Sequence, residues 1–173
     1  ARSSKDAIDQ LAWIDGKDGD HRRIDAPFVN FGDLSLDRHG RLIAIASAAT
    51  DEPVLVAIDP QDGQVQRLHQ ASTSRIPASL VSIGQPIRFP TTPGPAGEAR
   101  IAHATFYPPT NPGFTGPEGS LPPLIVISHG GPTSATSGDF SLARQYWTSR
   151  GFAILDVNYG GSTGYGRDYR ERL

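Results

Sequence analysis

The chain has 173 residues, 37% of them hydrophobic and 20% charged, which fits one globular domain or parts of two and excludes bulk disorder. Its formal net charge of −2 offers no basic field that would attract nucleic acid or an anionic membrane surface. Because the sequence contains no cysteine, a disulfide framework, a thiol nucleophile and a thiolate metal site are all excluded.

The first half of the sequence reads as short strands separated by tight turns. Apolar or alternating segments lie at 11–14, 34–37, 42–49, 54–58 and 65–68, and the last three follow one another at a spacing of roughly ten residues with Asp, Gly and Pro turns between them. This pattern predicts an antiparallel meander. Such a meander needs a neighbour to cover its apolar face, as in a propeller blade or a sandwich sheet. No second copy of the pattern is visible in the sequence.

The middle of the chain combines a polar connector with two strand candidates. Residues 69–83 read as the connector, and residues 85–89 and 101–107 as the strands. The loop after the second strand, 108–123, holds six prolines and three glycines in 16 residues, which excludes a helix or a central strand there.

Beyond residue 123 the pattern changes to an alternation of strand and helix. The continuous apolar run 124–127 and the largely apolar segment 152–157 are typical of buried parallel strands. A charged helix starts near Tyr165. Strand, loop, helix, strand, loop and helix in this order predict an α/β fold. A right-handed crossover would place both loops at the carboxyl edge of the sheet, where such folds carry their sites.

The helix between these two strands is predicted over residues 139–150. Its apolar residues are spaced as on one helical face, namely Phe140, Ala143, Tyr146 and Trp147. Asp139 is the expected N-cap and Gly151 the expected C-cap.

The sequence His-Gly-Gly-Pro at 129–132 directly follows the first apolar strand and carries the clearest chemical signal. Two successive glycines let the backbone turn sharply and approach a ligand without an intervening Cβ. Their N–H groups can then hold a developing oxyanion, as the loop after the third strand does in α/β-hydrolases. We therefore predict Gly131, with Gly130 second, as oxyanion-binding amides. The structural alternative is a plain Gly-Gly turn.

The stretch 160–164, GGSTG, matches the G-x-S-x-G pattern of a nucleophile elbow. In α/β-hydrolases the nucleophile precedes the catalytic histidine, yet all five histidines precede Ser162. A loop one strand after the oxyanion loop is also too early for the elbow. We therefore interpret Ser162 as part of a glycine-rich turn that caps the following helix, and not as the nucleophile.

The remaining candidates are weaker. His129 could orient its loop, contact substrate or be purely structural, and His103 reads as a sheet residue. Asp156 lies in an apolar strand, so it needs a partner if it is buried, unless the strand end turns outward. The acidic stretch 59–63 has too few carboxylates for a calcium loop and reads as a turn. Phosphate loops, metal pairs and nucleotide fingerprints are absent from the sequence, so no cofactor is predicted.

Residues 121–173 resemble the start of the catalytic domain of the prolyl oligopeptidase (S9) family, especially its acylaminoacyl-peptidase and dipeptidyl-aminopeptidase-like branch. Three pieces match in order and spacing: HGGP at 129–132, SRGF at 149–152 and NYGGSTGYG at 158–166. The resemblance extends to residues 84–107 as the first two strands of that domain. Residues 1–80 are compatible with the last blades of the family's β-propeller.

This resemblance implies an α/β-hydrolase domain, truncated before its nucleophile, over residues 81–173, preceded by propeller-like antiparallel strands over residues 1–80. It implies a serine peptidase acting on short peptides, with Gly131 and Gly130 as oxyanion donors. Some family members have a tyrosine where His129 stands, so the donor here would be the backbone. The family's Ser, Asp and His lie beyond Leu173. The chain, which begins without Met, is therefore expected to be a fragment that is inactive and poorly stable alone.

Two other functions remain open from the sequence. An esterase or thioesterase could use the same Gly-Gly loop on the same fold, and a non-enzymatic binding module could be built on the strand-rich half. The expected partners are a short peptide and the remainder of the same catalytic domain, with no nucleic acid and no membrane; oligomeric state is open. A polar N-terminus without a signal-peptide core leads us to expect a cytoplasmic location.

Overall fold

A computed structural model gives the fold and describes residues 1–70, 72 and 76–173. The chain divides into two compact units, Ala1–Arg75 with Ser137–Phe140, and Ile76–Thr136 with Ser141–Leu173. The predicted connector 69–83 lies partly outside the described residues, at positions 71 and 73–75. In the part of the chain that is described, no helix has the length and apolar character needed to cross a membrane.

The first unit contains two antiparallel sheets. Three strands form one sheet in chain order: β1 (Arg2–Lys5), β2 (Ile8–Ile14) and β3 (His21–Ile24). Four strands form the other, again in chain order: β4 (Asn30–Leu36), β5 (Leu42–Ser47), β6 (Val54–Ile58) and β7 (Val65–Gln70). The predicted meander is confirmed. The polar strands β1 and β3 were missed because they lack an apolar run.

One apolar core serves both sheets of the first unit. It is built from Leu11, Ile24, Phe28, Phe31, Ala44, Ala46, Val54, Val56 and Ile58. Polar turns fix the register between the strands. At the turn from β4 to β5, the Arg41 amide, its guanidinium and the His39 amide hold the pKa of the Asp37 carboxyl below its ordinary value. The carboxylate therefore remains an acceptor for these donors.

The second unit contains a mixed sheet in the order β10-β11-β9-β8. Its strands are β8 (Gln85–Thr91), β9 (Arg100–Tyr107), β10 (Leu124–Ser128) and β11 (Ala153–Asn158). β10 and β11 are parallel, as predicted, and the other pairs are antiparallel. Two short helices complete the unit, α1 (Leu142–Thr148) and α2 (Arg167–Arg170), with a 3-10 turn at Ala78–Leu80. The loop 108–123 contains neither helix nor strand.

The burial predicted for β10 is wrong. Leu124, Val126 and Ile127 are 52%, 60% and 38% exposed. The reason is position, because β10 is the edge strand of this sheet while β11 lies between two neighbours. An apolar run therefore indicates only that a strand is suited to burial on both faces. The position of the strand in the sheet decides whether those faces are buried.

The helix predicted over residues 139–150 spans only Leu142–Thr148, and the face predicted to be buried is largely exposed. Asp139 is not its N-cap, because α1 begins at Leu142 and the backbone is still extended at Ser141, with φ of −141° and ψ of 120°. Ser141 is the cap, and its hydroxyl accepts from the Arg144 amide. The buried side chains of α1 are Gln145 and Thr148. The predicted apolar face is exposed from Ala143 onward, at Ala143, Tyr146 and Trp147.

The hydrogen bonds of the buried Gln145 side-chain amide explain why a polar face of α1 points inward. Gln145 accepts from the Ser82 amide at 2.7 Å and donates to the Ser82 carbonyl at 3.1 Å. This pair of bonds satisfies a backbone segment that no strand reaches. The expected C-cap is also displaced by two residues, since Ser149 holds that position and Gly151 follows with φ of +88°.

The corrected N-cap leads to a stability prediction. Ser141→Ala should lower the free energy of unfolding by about 1 kcal/mol, because the Arg144 amide loses its side-chain acceptor. Ser141→Asp keeps an acceptor and should retain most of the stability. Urea-induced unfolding of the three proteins measures this difference, and equal midpoints for the Ala and Asp variants would show that Ser141 does not act as the cap.

Candidate active site

Two loops leave the same edge of the mixed sheet, because β10 and β11 run parallel. β10 ends at Ser128 and is followed by the Gly130–Gly131 pair. β11 ends at Asn158 and is followed by the loop that contains Ser162. The carboxyl edge of parallel strands is where α/β proteins commonly place catalytic and binding groups. The structure thus brings together the two motifs that the sequence singles out.

The Gly130–Gly131 pair is exposed and lies outside the strand ladder. Within the described residues, neither amide donates a hydrogen bond. Gly131 has φ of +106°, and a Cβ there would meet only the Cβ of Ser134, at 3.7 Å. Backbone conformation, and not crowding, is therefore what requires glycine at this position. Successive free amides in such a turn can receive an anionic oxygen.

His129 is held on both ring nitrogens. Its Nδ1 lies 3.0 Å from the carbonyl oxygen of Gly130, and its Nε2 lies 2.7 Å from the Ser162 hydroxyl. The ring also stacks on Tyr159, with a centroid distance of 4.5 Å and an interplanar angle of 23°. These contacts orient the imidazole within the loop, in agreement with the orienting role considered for His129.

Ser162 is fully buried, with 0% exposure. Its hydroxyl contacts His129, and its amide donates to the Tyr159 carbonyl at 3.0 Å. A nucleophile must be reachable by substrate, so this burial agrees with our interpretation of Ser162 as a turn residue. It does not cap α2 through its side chain, however, because the N-cap there is Gly166 and no side chain accepts from that turn.

Asn158 ties the two loops together and was missed by the sequence analysis. It is fully buried at the end of β11, and its Oδ1 accepts from the Thr136 amide at 2.9 Å. Its Nδ2 donates to the Thr136 hydroxyl at 3.1 Å and to the Tyr165 hydroxyl at 3.0 Å. The available signal was an amide side chain ending an otherwise apolar strand, a position that requires buried partners.

A cluster of the His103, Tyr165 and Tyr169 rings packs against the loop that follows β11. Burial raises the pKa of the Tyr169 phenol above its ordinary value, so the hydroxyl stays protonated and donates to the Asn158 carbonyl at 2.6 Å. His103 stacks on Tyr165 at 4.1 Å and meets Tyr169 edge-on at 5.0 Å. His103 is thus a packed residue of β9, as expected.

The other acidic candidates are structural. Asp156 is buried and pairs with Arg144 at 3.3 Å, so the alternative in which the strand end turns outward is wrong. In the stretch 59–63, Asp59 and Asp62 accept from backbone amides two residues ahead, as ordinary turns do. Among the described residues no group of three or more His, Asp or Glu side chains could hold a metal ion.

Comparison with known proteins identifies the relatives of this chain. No family model matches it. It is 43% identical over 47 residues to dipeptidyl aminopeptidase BIII of Pseudoxanthomonas mexicana, covering 27% of this chain and 7% of that protein. It is 27% identical over 135 residues to the acylamino-acid-releasing enzyme of Sus scrofa, covering 78% of this chain and 18% of that protein.

Structure comparison extends the similarity to nearly the whole chain. A puromycin hydrolase variant, solved in complex with PGG, matches with a TM-score of 0.82 and 35% identity over 97% of this chain. The chain is homologous to peptidases of the prolyl oligopeptidase family. It spans only 25% of the puromycin hydrolase chain. The S9 relatives are hydrolytic peptidases, which agrees with the family expected from the HGGP and NYGGSTGYG motifs.

Proposed function

We propose that this chain is part of a serine peptidase that cleaves short peptides, and that it supplies the oxyanion-binding loop. The observation that carries the proposal is the exposed Gly130–Gly131 pair, whose two amides donate no hydrogen bond within the described residues. A tetrahedral intermediate develops negative charge on the former carbonyl oxygen, and preorganised N–H donors stabilise that charge. Gly131 is the principal donor, with Gly130 second.

The proposed architecture joins two S9-type parts. Residues 1–80 form the last part of a β-propeller, which the two antiparallel sheets and their shared core support. Residues 81–173 form the N-terminal part of an α/β-hydrolase domain, which the parallel pair β10–β11 with its intervening helix supports. Short peptides are the proposed substrates because the relatives are peptidases of this family.

The proposed partner of the exposed sheet edge is the remainder of the same catalytic domain. Apolar side chains are exposed on β10 and on α1, namely Leu124, Val126, Ile127, Leu142, Tyr146 and Trp147. An edge strand that can be covered on both faces is suited to pairing with a further parallel strand. The nucleophile, the acid and the catalytic histidine belong to that remainder. We therefore expect the chain of 173 residues to be inactive by itself.

Covalent labelling tests this function. We expect the full-length protein to react with a fluorophosphonate probe and to hydrolyse peptidyl-nitroanilides, and the 1–173 polypeptide to do neither. The labelled serine should map outside residues 1–173. Turnover by the isolated chain that Ser162→Ala abolishes would overturn the assignment. Faster hydrolysis of esters than of peptides would indicate an esterase, and a full-length protein that does not label would indicate a binding module.

A further inference from the structure

We propose that His129 is a positioning residue that fixes the Gly130–Gly131 peptide plane, and that buried Ser162 acts through His129. This inference rests on the proposed function, since it concerns how the oxyanion-binding amide is aimed. It assigns a task to two side chains that the proposed chemistry itself does not use. The observation behind it is a chain of two hydrogen bonds, from Ser162 to the His129 ring and from that ring to the Gly130 carbonyl.

Because the peptide bond is planar, a contact that holds the Gly130 carbonyl also sets the direction of the Gly131 N–H. A trans peptide is planar, so its C=O and the following N–H point in opposite directions. The described residues include no cis peptide bond. By holding the Gly130 oxygen at 3.0 Å, His129 therefore directs the Gly131 N–H away from the imidazole. Neither glycine has a side chain to resist rotation of this plane, so an outside contact has to hold it.

The two contacts also determine which ring nitrogen carries the proton. A carbonyl oxygen can only accept, so the Gly130 contact requires a proton on Nδ1 of His129. The Tyr159 hydroxyl, 3.4 Å from the same nitrogen, then donates to the His129 carbonyl at 3.3 Å. In the neutral ring Nε2 is then an acceptor, and the Ser162 hydroxyl at 2.7 Å donates to it. The Ser162 hydroxyl, which can donate or accept, is compatible with the tautomer that keeps the Gly130 carbonyl bound, and its contact holds the ring in place.

Stacking fixes the plane of the ring and completes the support. The Tyr159 ring lies against the imidazole at 4.5 Å, and its hydroxyl lies within 3.3 Å of the His129 carbonyl. Because Nδ1 is engaged by Gly130 and Nε2 by Ser162 of the neighbouring loop, the imidazole is not arranged to donate to an oxyanion itself. The same engagement keeps it from serving as the base for a nucleophile. Its contribution is orientation of the Gly131 amide.

The kinetic test is a double-mutant cycle in the full-length protein. His129→Ala should lower kcat for a peptidyl-nitroanilide by about tenfold to a hundredfold with KM little changed, because the amide acts on the transition state. Ser162→Ala should lower kcat less, and its effect should vanish in the His129→Ala background. His129→Asn places an amide donor near the former Nδ1 and should restore part of kcat.

A matched control separates positioning from general packing. Ser82 is a buried serine of the same unit whose hydroxyl donates to the Pro108 carbonyl at 2.6 Å. Ser82→Ala should lower the melting temperature about as much as Ser162→Ala and leave kcat unchanged. Additive effects of Ser162→Ala and His129→Ala on kcat, or a kcat untouched by His129→Ala, would overturn the inference.

Crystal structures provide a readout that does not need activity. In the full-length His129→Ala protein the Gly130–Gly131 peptide should be rotated or occupy two orientations, whereas Ser82→Ala should keep it single. If the wild-type protein neither labels nor hydrolyses peptides, the proposed function fails, while a rotated peptide still supports the positioning role. An unchanged peptide plane in the His129→Ala protein would refute that role whatever the activity.

Discussion

Replacing Gly131, the proposed oxyanion donor, with alanine should reduce kcat of the full-length protein by about a hundredfold or more. The backbone φ of +106° at this residue is one that L side chains rarely adopt. An alanine would relieve the strain by rotating the backbone, which moves the N–H away from the oxyanion. Loss of one preorganised donor costs roughly 10²–10³ in rate. Steady-state kinetics on a peptidyl-nitroanilide measure the effect, with KM expected to change little.

Gly151 provides the matched control for this substitution. Like Gly131, it has a positive φ, here +88°, and a Cβ added to it would not be crowded. It lies before the start of β11, however, and therefore at the sheet edge opposite to the candidate site. Gly151→Ala should therefore cost stability through the same backbone strain without lowering kcat. Equal losses of kcat in both variants would mean that strain alone explains the result and that Gly131 is not a donor.

Replacing Asp156 with asparagine should lower the free energy of unfolding by about 3–5 kcal/mol, the typical cost of breaking a buried ion pair by removing the charge of one partner. The side chains of Asp156 and Arg144 are only 5% and 12% exposed and meet at 3.3 Å. The guanidinium also lies 4.8 Å from the centroid of the Tyr107 ring. The variant keeps the shape of the side chain, so lost charge pairing dominates. The urea midpoint of the full-length protein measures it.

Two further variants show whether charge pairing is the cause. Replacing both partners, Arg144→Met with Asp156→Leu, exchanges the buried ion pair for apolar side chains and should recover most of the stability lost by Asp156→Asn. Asp25 forms an ion pair with Arg23 in which the side chains are 81% and 67% exposed, and Asp25→Asn should leave the midpoint unchanged. A double variant less stable than Asp156→Asn would point to packing as the main contribution.

Local sequence patterns determined much of this protein. Alternating apolar residues and Asp, Gly and Pro turns set the meander, because strand period and turn chemistry are properties of neighbouring residues. The apolar runs at 124–127 and 152–157 fixed the two parallel strands, and the glycine pair after the first run located the candidate site. Proline density excluded regular structure from loop 108–123.

Tertiary structure alone decided which faces are covered and which side chains meet. Helical spacing marked Tyr146 and Trp147 as one face of α1, but the inward face is set by the buried partners of Gln145 and Thr148. Edge position exposed β10 despite its apolar sequence. The His129–Ser162 hydrogen bond joins residues 33 positions apart. Because hydrogen bonds act only at contact distance, such pairings exist only after the register of β10 and β11 brings the loops together.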